Sequence, residues 1–255
     1  MFNIGDMVVI IDDVDNCLYK IKEIGEKICL IGYSYRVIKY VDASKIKIAP
    51  KELLLKEEEI SKKCIENIKK ASNIRSSRAI FGRILHIDGD IDYLNSCLNL
   101  YKEVGIYAEG VYISEKESYL KIEKMLLDTT PDIIVITGHD AFLGKDKALL
   151  DNYENSKYFV KTIRAIRKHF LLDSVVIIAG ACGSHFEALI ASGANFASSP
   201  KRINTHTYDP AVAAIKVATT PINRIVNFDG ILKYIENGHD ALGGVETMGK
   251  MRLLL

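Results

Sequence analysis

The sequence has little cysteine, no excess charge of either sign and no long hydrophobic run. Each shortage removes a class of protein. Its five cysteines, Cys17, Cys29, Cys64, Cys97 and Cys182, form no Cys-x-x-Cys pair and no cluster with histidine. A disulfide framework and a zinc site are therefore not expected, and a reducing compartment is. Lys and Arg total 34 against 33 Asp and Glu, a net charge of +1, so no nucleic-acid partner is expected. Apolar runs such as Ile133–Ile136 and Val175–Ala179 stop far short of the roughly 20 residues that span a bilayer, so no membrane partner is expected either. The N-terminal Met-Phe-Asn-Ile-Gly-Asp lacks the basic and apolar regions of a signal peptide. What the chain does have is core material: 48% of its 255 residues are apolar.

Three parts are expected. Residues 1–49 read as short Val-, Ile- and Tyr-rich strands (Met7–Ile11, Leu18–Ile24, Lys27–Tyr33, Arg36–Val41) separated by turn residues, which predicts a small SH3-like β-barrel. Residues 50–78 read as a charged, solvated helix followed by a small polar linker, Ala71–Arg78. From residue 79 to 255 apolar strands alternate with helices, starting with Ile80–Ile87, Ile106–Ile113, Ile133–Thr137 and Val175–Ala179. Wholly apolar strands belong in a parallel sheet covered on both faces, so this part is expected to be a doubly wound α/β domain with a mostly parallel, flavodoxin-like or caspase-like sheet.

Ligands of such sheets bind beyond the carboxyl ends of the strands. Those ends carry Asp88-Gly89-Asp90, Gly138-His139-Asp140 and Gly180-Ala181-Cys182-Gly183-Ser184. Consecutive βα units place their strands side by side, so His139 and Cys182 are expected within reach of each other in solvent-facing turns. A helix starting at Ser184 and a nearby imidazolium would lower the thiol pKa of Cys182. The flanking glycines permit a tight turn, and the N–H groups of Cys182, Gly138 and Gly183 are the oxyanion candidates. No metal or organic cofactor is required. Two alternatives remain. Gly180-Ala181-Cys182-Gly183 also resembles the nucleophile elbow of a glutaminase-type amidase, whose base would be His206 or His239. In a non-catalytic coat- or peptidoglycan-binding protein, Cys182 would merely be buried.

The apolar strand ending in Gly138-His139 and the one ending in Ala181-Cys182 resemble the caspase–clostripain–gingipain clan of cysteine peptidases, although Asp140 stands where that clan has Gly. A closer resemblance is to the YabG sporulation peptidase family. It rests on Leu85–Asp90, Ile136–Asp140, Gly180–Ala188, Gly193–Arg202, Gly243–Thr247 and the opening Phe2–Val8. The resemblance implies a cysteine endopeptidase with Cys182 and His139 as its dyad and a preference for Arg before the cut. Its implied protein substrates are spore coat proteins and germination or cortex-lysis proenzymes. Its implied place is the cytoplasm of the sporulating cell and then the spore coat. An Arg-selective pocket would draw its carboxylate from Asp90 in preference to Asp88, with Asp140 either as a rival or as the partner that orients His139. Self-cleavage in the linker, after Arg75 or Arg78, is a further expectation.

Overall fold

The computed structural model describes residues 2–11, 13, 17–71 and 78–254, with the backbone alone at 70–71. Five strands come first: β1 (Met7–Ile10), β2 (Tyr19–Ile24), β3 (Ile28–Gly32), β4 (Ile38–Val41) and β5 (Ile46–Ile48). They form one antiparallel sheet in the order β4-β3-β2-β1-β5. All of β3 is buried, because its two faces meet different cores. Ile28 and Leu30 pack with Val8, Tyr19 and Cys182, whereas Cys29 and Ile31 pack with Ile38 and Ala141. β4 begins at Ile38 and not at the expected Arg36, since Arg36 leaves the sheet for partners in the second half of the chain. β5 escapes the sequence pattern because only Ile46 of its three residues is buried.

The helix α1 (Lys51–Ala71) follows, charged as expected, with a Glu59–Lys63 pair one turn apart at 2.6 Å and Ile68 buried near its end. The expected strand Ile80–Ile87 is in fact two, β6 (Ala79–Ile80) and β7 (Ile84–Asp88). Then come α2 (Ile91–Glu103), β8 (Ala108–Tyr112), α3 (Glu115–Thr129), β9 (Ile133–Thr137), α4 (Ser156–Arg167) and β10 (Val176–Ala179). The chain continues through α5 (Phe186–Ala191), β11 (Phe196–Ser198), α6 (Asp209–Thr219), α7 (Phe228–Leu232), β12 (Leu242–Gly244) and β13 (Arg252–Leu253), which pairs with β6.

The central sheet runs β12-β11-β10-β9-β7-β8, parallel from β11 to β8 with β12 antiparallel at one edge. Its apolar strands divide with period two. Ile133 and Val135 face a core shared with α2, α6 and α7, whereas Ile134 and Ile136 face one shared with α3, α4 and α5. Burying both faces stabilises the sheet by roughly 1.5–3 kcal/mol per large aliphatic side chain and explains the uninterrupted Ile-Ile-Val-Ile. The strand order reverses between β7 and β9, the position at which open α/β sheets form a crevice. Asp88, the last residue of β7, is in register with Thr137, the last of β9. Among the described residues, no helix is long and apolar enough to cross a membrane.

Candidate active site

Three strand tips meet above this crevice. Asp88 ends β7 with its carboxylate inaccessible to solvent. Its Oδ2 accepts from Arg36 Nη1 at 2.7 Å and Thr137 Oγ1 at 2.8 Å, and its Oδ1 accepts from the Asp90 N–H at 3.0 Å. Burial alone would raise its pKa, but the adjoining guanidinium overrides it and holds the carboxyl well below the usual range. Asp90 caps α2, its Oδ1 accepting from the N–H groups of Asp92 and Tyr93. Its Oδ2 lies 2.9 Å from His139 Nε2, and this bond outweighs burial to keep Asp90 ionised. Asp88 carries a guanidinium, while Asp90 holds the histidine.

His139 follows β9 and is 1% exposed. Its N–H donates to Glu115 Oε1 at 2.7 Å, its ring lies 5.2 Å from that of Tyr93, and its buried Nδ1 has no hydrogen-bond partner among the described residues. Glu115 occupies the space that a side chain at Gly138 or Gly89 would need. The carboxylate of Asp140 is taken up by other partners. It gathers the N–H groups of Ala141 and Asn155 and the hydroxyls of Ser156 and Ser184, which ties the β9 tip to α4 and to the turn after β10.

Cys182 lies in that turn between Gly180 and Gly183, whose φ angles of 111° and 66° suit glycine. β9 and β10 are neighbours, as expected, but two expectations about the cysteine fail. The helix begins at Phe186 and not at Ser184, with His185 as its cap, so Cys182 is not at a helix N-terminus. Nor is Cys182 solvent-facing: it is 2% exposed because the N-terminal sheet packs over it. Its Sγ accepts from the Thr205 N–H at 3.0 Å, and burial pushes the thiol up to about 12. Among the described residues no hydrogen bond joins Cys182 to His139. Of the oxyanion candidates, Gly183 donates its N–H to Ser199 Oγ at 3.0 Å, and Gly138 backs onto Glu115. The N–H of Cys182 donates to the carbonyl of Arg36 at 3.1 Å.

The tip of the β3–β4 hairpin, residues 33–37, completes the site. Arg36 is wholly buried, stacks 5.1 Å from the Tyr93 ring centroid and donates to the Thr207 carbonyl as well as to Asp88. Nothing in its sequence neighbourhood marks it out, and Tyr93, Glu115, Thr205 and Thr207 were equally inconspicuous. A cavity of about 470 Å³ opens beside the tip, reaching Tyr33, Ser34, Asp90, Tyr93 and His206. The other histidines have local roles. His86 bridges Tyr101 and Thr137, and His206 Nδ1 accepts from the Tyr208 N–H at 3.2 Å. His239 is exposed.

These features define an α/β protein that gathers a cysteine, a histidine and two carboxylates beyond adjacent parallel strands, beneath an N-terminal antiparallel sheet. The chain belongs to the YabG peptidase U57 family, whose description matches residues 3–255. The sporulation-specific protease YabG of Bacillus subtilis (strain 168) is 46% identical to it over 176 residues, 68% of this chain and 60% of that protein. No solved structure matches the chain.

Proposed function

We propose that this chain is a cysteine endopeptidase of sporulation that cuts after arginine. In this reading Cys182 is the nucleophile. Asp90 accepts from His139 Nε2–H, leaving Nδ1 as the base that takes the thiol proton and returns it to the leaving amine. Held at the start of α2 by the Asp92 and Tyr93 N–H groups, Asp90 positions the ring while the Cys182 N–H stabilises the oxyanion. Asp88 is the acid of the arginine pocket. The observation that carries the reading is that one arginine already satisfies two separate features of such a site. Its guanidinium lies on Asp88, and its carbonyl lies on the Cys182 N–H. A planar guanidinium matches this buried carboxylate better than an ammonium does.

Coat proteins and germination or cortex-lysis proenzymes are the proposed substrates, met in the sporulating cell's cytoplasm and later at the spore coat. Residues 1–49 act as a separate module over the catalytic part. Self-cleavage would fall in the linker, of which residues 72–77 lie outside the described residues. The burial of Cys182 also favours a second reading, a binding protein with an inert core cysteine. Incubating the purified full chain with a coat-protein extract and sequencing the new termini separates the two. Termini that follow arginine and vanish in Cys182→Ala are expected, and their absence after prolonged incubation would remove the peptidase reading.

A further inference from the structure

The β3–β4 hairpin approaches the site in the manner of a bound peptide. Arg36 N–H donates to the Thr205 carbonyl at 3.2 Å, and Thr207 N–H donates to the Ser34 carbonyl at 2.9 Å. Tyr35 and His206 form an antiparallel bridge between these bonds. The segment thereby adds a strand to the backbone edge of residues 205–207, a common mode of peptide recognition. On its other side Val37 bridges Asp140, next to His139. The peptide group joining Arg36 to Val37 therefore lies between the cysteine turn and the histidine turn, with its carbonyl on the Cys182 N–H.

The tip is also held in a shape unlike an extended substrate. Val37 N–H donates back to the Tyr35 carbonyl at 2.8 Å, closing a γ-turn at Arg36. The Tyr93 hydroxyl fastens the bend by bonding the carbonyls of Gly32 and Tyr35. Behind it, Val8, Tyr19, Leu30 and Val37 pack against Cys182 in one core. The thiol therefore contacts the sheet that carries the tip.

We propose that Arg36 is a tethered occupant of the substrate's arginine position, so that the N-terminal sheet plugs the site and substrate enters only when the hairpin withdraws. This rests on the peptidase reading and adds regulation to it. A tethered group competes at an effective concentration of order mM, which excludes a weakly bound free peptide until the tip is displaced. The ligand class that opens or competes with the plug is an arginyl peptide or another planar cation. The bent backbone at Arg36 makes the hairpin a blocker and not a substrate.

The test measures alkylation of Cys182 by iodoacetamide in the full chain, read by peptide mass, with hydrolysis of a fluorogenic peptide ending in arginine followed in parallel. Arg36→Ala is expected to raise the alkylation rate at least tenfold, and benzamidine to slow it in that variant but not in the unaltered protein. Tyr93→Phe, which frees the bend while keeping Arg36 and Asp88, is expected to give a smaller rise. An unchanged rate in folded Arg36→Ala, or no protection by benzamidine, would overturn the plug. If Arg36→Ala does not fold by circular dichroism, Tyr93→Phe decides alone, and an unchanged rate there overturns it. Faster labelling with benzamidine protection but no hydrolysis would uphold the plug and reject the peptidase. Equal hydrolysis by the unaltered protein and folded Arg36→Ala would do the reverse.

Discussion

Asp88→Asn tests the electrostatics at the centre of the molecule. The substitution keeps the size of the side chain and one acceptor oxygen, enough for the Asp90 N–H on Oδ1, but replaces Oδ2, which Arg36 and the Thr137 hydroxyl share, and removes the charge facing Arg36. Both members of the pair are wholly buried and 2.7 Å apart, so the variant leaves an uncompensated guanidinium out of reach of water. Breaking such a pair from one side costs about 3–5 kcal/mol. At about 2–4 °C per kcal/mol for a chain of this size, the melting temperature should fall by about 6–20 °C. The chain has no tryptophan, so urea unfolding is best followed by far-UV circular dichroism. Adding Arg36→Met should recover most of the loss, because no buried charge then remains. The pH dependence has a definite sign. Arg36 depresses the folded pKa of Asp88, so the contribution is whole above the unfolded value of about 4 and is withdrawn as pH falls toward the lower folded one. The gap between the two proteins should be flat from about pH 8 to pH 5 and shrink in stronger acid. A loss below about 1 kcal/mol, or a double variant no better than the single, would refute the reasoning.

Cys182→Ala and His139→Ala should each lower peptide hydrolysis by about three orders of magnitude or more. The cysteine variant should unfold only about 1–2 kcal/mol earlier, for the lost acceptor of the Thr205 N–H; substantial residual hydrolysis in pure protein would exclude the dyad. Asp90→Asn should reduce kcat roughly ten- to ten-thousandfold with little change in KM, since the ring it positions acts in the chemical step. An unaltered kcat would assign Asp90 to capping α2 alone. Burial lowers the pKa of His206 to about 4, so the unfolded chain takes up its proton first and stability falls as pH drops from about 6.5 toward 4. His206→Phe should flatten that acid slope of the urea midpoint relative to the unaltered protein, and parallel slopes would show that His206 takes up its proton over the same pH range folded and unfolded. Asp209, which burial raises to about 7, titrates in both proteins and drops out of the comparison.

The alternation of strands and helices was legible because burial on both sheet faces writes itself as runs such as Ile133–Ile136. The pairing of β9 with β10, the strands that His139 and Cys182 follow, was legible because consecutive βα units lie side by side. What stayed hidden depends on contacts between distant parts of the chain. Arg36 sits among strand-forming residues with nothing local to show that it will leave its ladder for Asp88. The burial of Cys182 is likewise set by a sheet contributed from the other end of the sequence. The partners of the two acids were hidden for the same reason. Asp88 caps its own turn through Oδ1 and Asp90 caps α2, while the second oxygen of each reaches a partner from a distant segment, Arg36 for Asp88 and His139 for Asp90. β5 and the antiparallel β12 are three residues each, too short to impose a period on the sequence.

The reach of Arg36 also orders events in time. Its carbonyl partner, Thr207, lies 171 residues further along the chain. At about 5–20 residues per second, a ribosome needs roughly 10–30 s to cover that interval. The hairpin therefore emerges long before Thr205–Thr207 exist to receive it. Cys182, by contrast, is made only shortly before them. During synthesis the turn that holds Cys182 and the edge that seats the hairpin arrive almost together, with the hairpin already waiting. Burial of the Cys182 thiol therefore waits on the folding of the finished site and not on the making of its cover, since Thr205, 23 residues on, follows within roughly 1–5 s.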